Sequence, residues 1–215
     1  GHDDRFLTKL QYSDGMALKM QLVRYTFPVT NTWDLGAYYL FSKTDLGKEF
    51  AILDSHGEAE IAGAFSSHEL IHETDVNLTL NVGMDHKNVK DYLSGSVNSH
   101  DQLTVAKLGF DLDVSDRYGR TLFTPELDVG IPNFLESMDA KDPSASRSGA
   151  GGSFNKGLFS FFRLQPLPYE TTLLWKNTSQ YSPYSLSAVE QFQIGGPTSV
   201  RAYSPAEYSG DKGFY

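Results

Sequence analysis

The sequence predicts an all-β fold, an antiparallel sheet of about nine strands with no convincing helix. Three observations carry this expectation. Apolar and polar residues alternate with period 2 over much of the chain. Glycine (19) and aromatics (12 Tyr, 14 Phe, 2 Trp) are plentiful, a composition that favours strands. Clusters of Gly, Pro, Asn, Asp and Ser separate the alternating runs.

Taken in order, Arg5–Tyr12 reads as a short strand closed by the turn Ser13-Asp14-Gly15. Met16, Leu18, Met20 and Leu22 then alternate with Ala17, Lys19 and Gln21, and the phase slips near Val23–Phe27, as at a bulge. Pro28–Asn31 is a tight connection to Trp33–Ser42, whose Leu35, Ala37, Tyr39 and Phe41 oppose Gly36, Tyr38, Leu40 and Ser42. Thr44–Gly57 reads as a long charged loop. Glu58–Ser67 sets Ile61, Gly63 and Phe65 against Glu60, Ala62 and Ala64.

Asp75–Met84 gives the cleanest strand signal, with Val76, Leu78, Leu80 and Val82 on one face. Asp85–His100 reads as another polar loop. Strands follow at Gln102–Val114 and Thr121–Ile131, joined by a short turn at Ser115–Arg120. Pro132–Gly152, rich in Ser, Gly, Asp and Ala, reads as a mobile loop. Phe154–Leu164 and Thr171–Gln180 are the last clear strands, joined across Gln165–Glu170.

Two architectures fit such a pattern. A soluble sandwich alternates, and so does a membrane barrel, whose strands need only about ten alternating residues each. Several strands here exceed the usual five or six residues of a soluble sheet. The connections also alternate, with the turns at Pro28–Asn31, His68–Thr74, Ser115–Arg120 and Gln165–Glu170 short. Those at Thr44–Gly57, Asp85–His100 and Pro132–Gly152 are long. One plain side and one elaborated side favour a barrel of the outer-membrane type.

The formal net charge is −9, with no basic stripe to neutralise phosphates, which argues against a nucleic-acid partner. The absence of cysteine excludes disulfides and thiolate metal sites. No run approaches the roughly 18 apolar residues of a membrane helix. The start, GHDDRFLTKL, is no signal peptide and reads as a cut within a larger protein or a vector-derived scar.

Chemistry-bearing candidates are few. The six histidines fall mostly in or beside loops, and His68 and His72 belong to no HExxH helix, so no metal is expected. Asp111/Asp113 and Glu126/Asp128 are two apart on strands, so each pair shares a face; in a barrel that face is the watery lumen, which carboxylates line without chemistry. There is no GxSxG elbow. No cofactor and no catalytic residue is assigned.

The segment from Gln180 to Tyr215 alternates poorly. It carries Gly195-Gly196, then Ser199-Val200-Arg201-Ala202-Tyr203, then Gly210-Asp211-Lys212-Gly213. By itself the run reads first as an ordinary Gly/Pro turn with a solvent-facing arginine. The sharper alternative is a guanidinium aimed at one carboxylate.

With Glu190-Gln191-Phe192 ahead of them and Phe214-Tyr215 behind, these motifs strongly resemble the signature of two-partner secretion transporters, the haemolysin-activator branch of the Omp85 superfamily. The resemblance implies a sixteen-stranded outer-membrane barrel preceded by POTRA domains. On that footing residues 1–180 carry wall strands and 181–215 belong to the sixth outside loop, folded back into the lumen. The POTRA domains and the final strands would lie outside this chain. Arg201 is implied to pair with an acidic residue on a later strand, and Ala202 stands where the family usually has glycine.

The implied function is passage of a large unfolded exoprotein, of filamentous-adhesin or haemolysin type, through the pore of a monomeric barrel held by outer-membrane lipid. The nearest competitor is an Omp85 relative that inserts other barrels, distinguished by its number of POTRA domains. The third is a soluble β-sandwich enzyme or lectin, distinguished by its partitioning between detergent and buffer.

Overall fold

The computed structural model describes residues 3–12, 19–45, 55–196, 199–201, 203 and 206–215. Nine long strands follow one another: β1 (Arg5–Tyr12), β2 (Lys19–Thr30), β3 (Trp33–Asp45), β4 (His56–His72), β5 (Val76–Leu93), β6 (Ser96–Asp116), β7 (Gly119–Gly130), β8 (Asn155–Leu167) and β9 (Thr171–Tyr181). Each pairs antiparallel with the next in a single meander. Beyond β9 come a one-turn 3-10 helix (Ala188–Glu190), a small two-stranded ribbon of β10 (Phe192–Ile194) and β11 (Tyr208–Gly210), and β12 (Gly213–Phe214).

Register assigns the faces. Tyr25, Ala37, Ala64, Met84, Ala106 and Val129 form one row across β2 to β7. The neighbouring row contains Leu35, Val82, Leu108 and Leu127. Most of these large apolar side chains are exposed, as a lipid-facing band requires. The opposite face is concave and polar. Its central row runs Gly36, Phe65, Gly83, Lys107, Asp128 and Lys156 across six strands. Residues Ile61, Gly63 and Phe65 of β4 therefore look inward, and small Ala62 and Ala64 meet lipid.

Two inward glycines explain how large rings fit this wall. A Cβ at Gly36 would overlap the Phe65 ring and the Tyr25 carbonyl oxygen, and one at Gly63 would overlap Tyr38 and Asp85. The rings thus lie flat over bare backbone on the adjacent strand. Arg24 stacks 4.1 Å from the Phe65 centroid, and Tyr38 donates a 2.5 Å hydrogen bond to Asp85.

Several sequence expectations change. Asp85–His100 is no loop: β5 runs to Leu93 and β6 starts at Ser96, joined by Ser94-Gly95. Both turn residues have positive φ (52° and 75°), the requirement of a two-residue hairpin that keeps the strand twist. This hairpin stands above the lipid band, and its inward residues Lys87 and Asp101 are buried against polar partners, Glu190 and Ser146, so its sequence has no reason to alternate between apolar and polar. The expected bulge is present but later, between Pro28 and Thr30, where proline's missing N–H costs no ladder bond. Segment 46–54, part of the expected loop Thr44–Gly57, lies outside the described residues.

Pro132–Gly152, expected to be a mobile loop, is packed down as part of segment 131–154. Met138 N donates to Gln102 O at 2.8 Å, Ile131 N to Thr104 O at 2.8 Å, and His100 N to Ser144 O at 2.8 Å. β7 ends at Gly130 while β6 continues above it, and this segment satisfies β6's otherwise bare edge. The buried apolar cluster of Leu103, Val105, Met138, Phe154 and Leu186 sits at this outer end, where β6, segment 131–154 and the chain after β9 meet.

The chain also re-enters the wall sooner than expected. Gly213 pairs with Gln180 and Phe214 with Ser179, and Tyr215 exchanges two 2.9 Å backbone bonds with Thr178. The folded-in segment therefore spans 182–212, and Gly213–Tyr215 are wall.

Gly36→Ala is expected to destabilise the full-length protein by about 1–3 kcal/mol through overpacking against Phe65. Gly57→Ala, where only the movable Asp91 carboxylate is near, is expected to be close to neutral. Thermal unfolding in detergent compares the two.

Candidate functional site

Segment 182–212 returns along the concave face, and one carboxylate fastens it there. Glu190, closing the 3-10 turn, is 1% exposed. Its Oε1 lies 2.6 Å from Lys87 Nζ of β5 and its Oε2 lies 2.6 Å from Lys156 Nζ of β8. Gln180 Nε2 of β9 donates to the Glu190 carbonyl at 3.0 Å. Asp128 of β7 sits 3.5 Å from Lys156 Nζ. Two buried cations thus face two buried anions, which is the condition for burying charge without ruinous cost.

Burial alone would raise the Glu190 carboxyl. The charges of Lys87 and Lys156 and their hydrogen bonds outweigh it and hold the group below the usual carboxylate range.

A second contact closes the base of the segment. Asp211 accepts from Arg147 Nη1 at 2.5 Å, from Leu186 N at 3.1 Å and from Gln191 Nε2 at 3.5 Å. Desolvation pushes this carboxyl up, but the Arg147 bond and the other donors prevail and lower it. Arg147 also donates to Leu186 O at 2.7 Å, and Ala188 N donates to Ser146 Oγ at 2.8 Å. Segment 131–154 thereby clamps segment 182–212.

The glycines of the motif have separate duties. Gly195 and Gly196 adopt φ of 124° and 87°, open to glycine and strained for other residues. Gly195 N donates to Ser199 Oγ at 2.8 Å, and Gly196 N to Tyr203 O at 3.0 Å. Gly213 leaves room for Phe192, whose ring would overlap an added Cβ and which stacks on Tyr215 at 5.7 Å. Gly210 pairs with Phe192 in the small ribbon.

Ser199, Val200, Arg201 and Tyr203 form a turn at the tip. Tyr203 packs edge-on to Tyr208 at 5.8 Å. Arg201 is exposed, and no described carboxylate pairs with it. Ala202 lies outside the described residues. The structure thus gathers Gly195, Gly196, Ser199 and Tyr203 at the tip and Asp211 and Gly213 at the base.

Sequence reasoning missed the docking residues themselves. Lys87 fell in the presumed polar loop and Lys156 near the start of a strand. Their inward register among Asp85, Asp128 and Glu126 was the available signal. The expected carboxylate pairs do face the lumen: Asp111 accepts from Asn81 at 2.6 Å, and Asp113 pairs with Arg120.

Residues 11–215 match the family model for the haemolysin secretion/activation protein ShlB/FhaC/HecB. The chain belongs to this family. The outer membrane transporter CdiB of Dickeya dadantii (strain 3937) is 28% identical over 221 residues, covering 100% of this chain and 38% of that protein. The solved CdiB of Escherichia coli superposes with a TM-score of 0.79 at 22% identity, over 94% of this chain and 38% of that one. CdiB of Acinetobacter baumannii gives 0.72 at 16%, over 98% and 38%.

These structures share the fold, an outer-membrane barrel of which this sheet is a part. The chain spans well under half the length of these relatives. Membership in the ShlB/FhaC/HecB family places it in the outer membrane of a Gram-negative bacterium.

Glu190→Gln preserves shape and removes the charge that Lys87 and Lys156 share. Leaving buried ammonium groups uncompensated is expected to weaken docking of 182–212 by about 3–5 kcal/mol. Spin-label distances between segment and wall in the full-length protein should lengthen at neutral pH. In the parent protein docking is expected to be complete above the ordinary glutamate value of 4.5. It should be lost as pH falls through the lower docked value, since a depressed carboxyl stabilises only while ionised.

Proposed function

We propose that this chain supplies wall strands and the lumenal segment of a transporter that passes a large unfolded exoprotein through its pore. The observation that carries this is the buried Glu190 pair, which holds 182–212 on the concave face where a translocating chain has to travel. No bond is made or broken in such a function. The inward face supplies what an unfolded polypeptide needs: alternating charges such as Lys107 with Asp85 at 3.1 Å and Glu126 at 3.8 Å, with flattened aromatic rings between them. An extended segment can exchange such contacts one after another without being trapped.

The partner is a secreted exoprotein, of the filamentous-adhesin or haemolysin type, and the barrel works as a monomer. Strands β1 to β9 act as wall and 182–212 as the gating segment; the POTRA domains that capture the exoprotein belong to other parts of the same protein. Arg201, exposed at the tip, anchors that tip to an acidic residue of a later strand. A guanidinium confined in a lumen favours such a partner.

Arg201→Ala in the full-length protein is expected to abolish export of the cognate exoprotein while leaving barrel insertion largely intact. Secretion assayed in culture medium, beside heat-modifiable migration of the barrel, reads both. Unchanged secretion would remove the anchoring role. Loss of other outer-membrane barrels on depletion, with exoprotein export intact, would favour an assembly factor instead.

A further inference from the structure

Just past β7, residues Asn133, Leu135 and Glu136 have φ of 58°, 50° and 63°. Three non-glycine residues within four positions in the left-handed region are an energetic cost that local contacts must offset. Yet the side chains this backbone presents are apolar and bare: Phe134 is 44% exposed and Leu135 52%. Strain that leaves apolar surface uncovered has no use in water.

The surrounding bonds fix where the pair lies. Thr104 is in the outward row of β6, opposite His86, but is 0% exposed. Its Oγ1 donates to Phe134 O at 2.8 Å, and its N donates to Ser137 Oγ at 3.2 Å. Asn133 N closes on Ser137 O at 3.1 Å, and Gln102 Nε2 reaches Glu136 at 3.4 Å. Residues 133–136 therefore lie over the outer surface of the wall, outside the lumen, with the Phe134 carbonyl bonded to the outward Thr104 hydroxyl and the Glu136 carboxylate to Gln102.

The level is given by the rows. Val129, Ala106 and Met84 form the apolar row below Thr104, whereas Gln102, Asn88 and Glu60 form the polar row above it. Phe134 and Leu135 thus stand at the upper boundary of the lipid-facing band and continue it outward on this side of the wall.

We propose that Phe134 and Leu135 form an anchor inserted among the acyl chains of the outer leaflet, with Gln102 and Glu136 beside them at headgroup level. Lipid is the occupant because the pair continues the apolar band, and because at this boundary apolar side chains lose unfavourable hydration while neighbouring polar groups stay wet. Burial in lipid offsets the strained backbone, and the anchor holds segment 131–154 against β6. Through Arg147 and Ser146 the same segment clamps 182–212, so the anchor steadies the outer end of the wall. The inference rests on the barrel fold and is independent of whether the pore exports a protein.

The test uses the full-length transporter in bilayers containing lipopolysaccharide, with a nitroxide on Leu135→Cys. Controls sit at Val129, inside the apolar band, and at Val97, beside the hairpin tip. Collision with oxygen, which concentrates in hydrocarbon, and with a water-soluble nickel chelate gives depth. The Leu135 label is expected to match Val129, accessible to oxygen and shielded from nickel. A nickel-accessible label like that at Val97 would overturn the anchor, placing the segment in water. Shielding from both reagents would also overturn it, by showing protein rather than lipid over the patch. Phe134→Cys, judged by the same criteria, covers the case in which substitution at Leu135 disturbs the turn.

Discussion

A carboxylate held between two ammonium groups organises the inside of this sheet. Glu190 reaches Lys87 and Lys156 from a segment that has left the wall, and those lysines stand on strands three apart in the meander. None of the three would tolerate its position alone, because an isolated buried charge is costly. Removing the segment would take the Glu190 carboxylate from both lysines and leave Lys156 with Asp128, so docking is favoured by what its absence exposes. The same logic makes it reversible in principle: any anion able to reach the pair can stand in for Glu190.

The rest of the structure serves that contact. Gly36 and Gly63 let Phe65 and Tyr38 lie flat, keeping the concave face open enough to receive a segment. Extension of β5 and β6 above the lipid band carries Lys87 to the height where the chain turns back after β9. Segment 131–154 brings Arg147 to Asp211, closing the base through which the segment leaves and re-enters the wall. Gly213 then admits Phe192 against the first residues of β12, so the return to the sheet is itself packed against the docked segment.

How much of this was legible follows from where one face meets lipid. Within the band, Val76–Val82 and Leu35–Phe41 announced their strands because alternation there is enforced by two different solvents. Above the band the inner face packs on polar groups such as Glu190 and Ser146 rather than on an apolar layer, so Lys87–His100 carried no apolar period, and only Ser94-Gly95 marked the hairpin. The motif residues Gly195, Gly196, Asp211 and Gly213 were visible because glycine and acid requirements are local. The lysines that receive Glu190 were not, since a pairing across 103 and 34 residues of sequence depends on register, which a single sequence does not state. Asp211 was seen as a motif member, but its partner Arg147 lay in a stretch whose composition suggests motion rather than packing.

The central claim is that charge complementarity between Glu190 and the inner wall holds 182–212 in the lumen. Exchange of charges tests it most directly: Glu190→Lys alone, Lys156→Glu alone, and both together in the full-length protein, with ion conductance in planar bilayers as the readout. Each single change should raise the resting conductance by displacing the segment, and the double change should return it most of the way to the parent level. Equal conductance in all four proteins, or a double variant no more closed than the singles, would contradict the account.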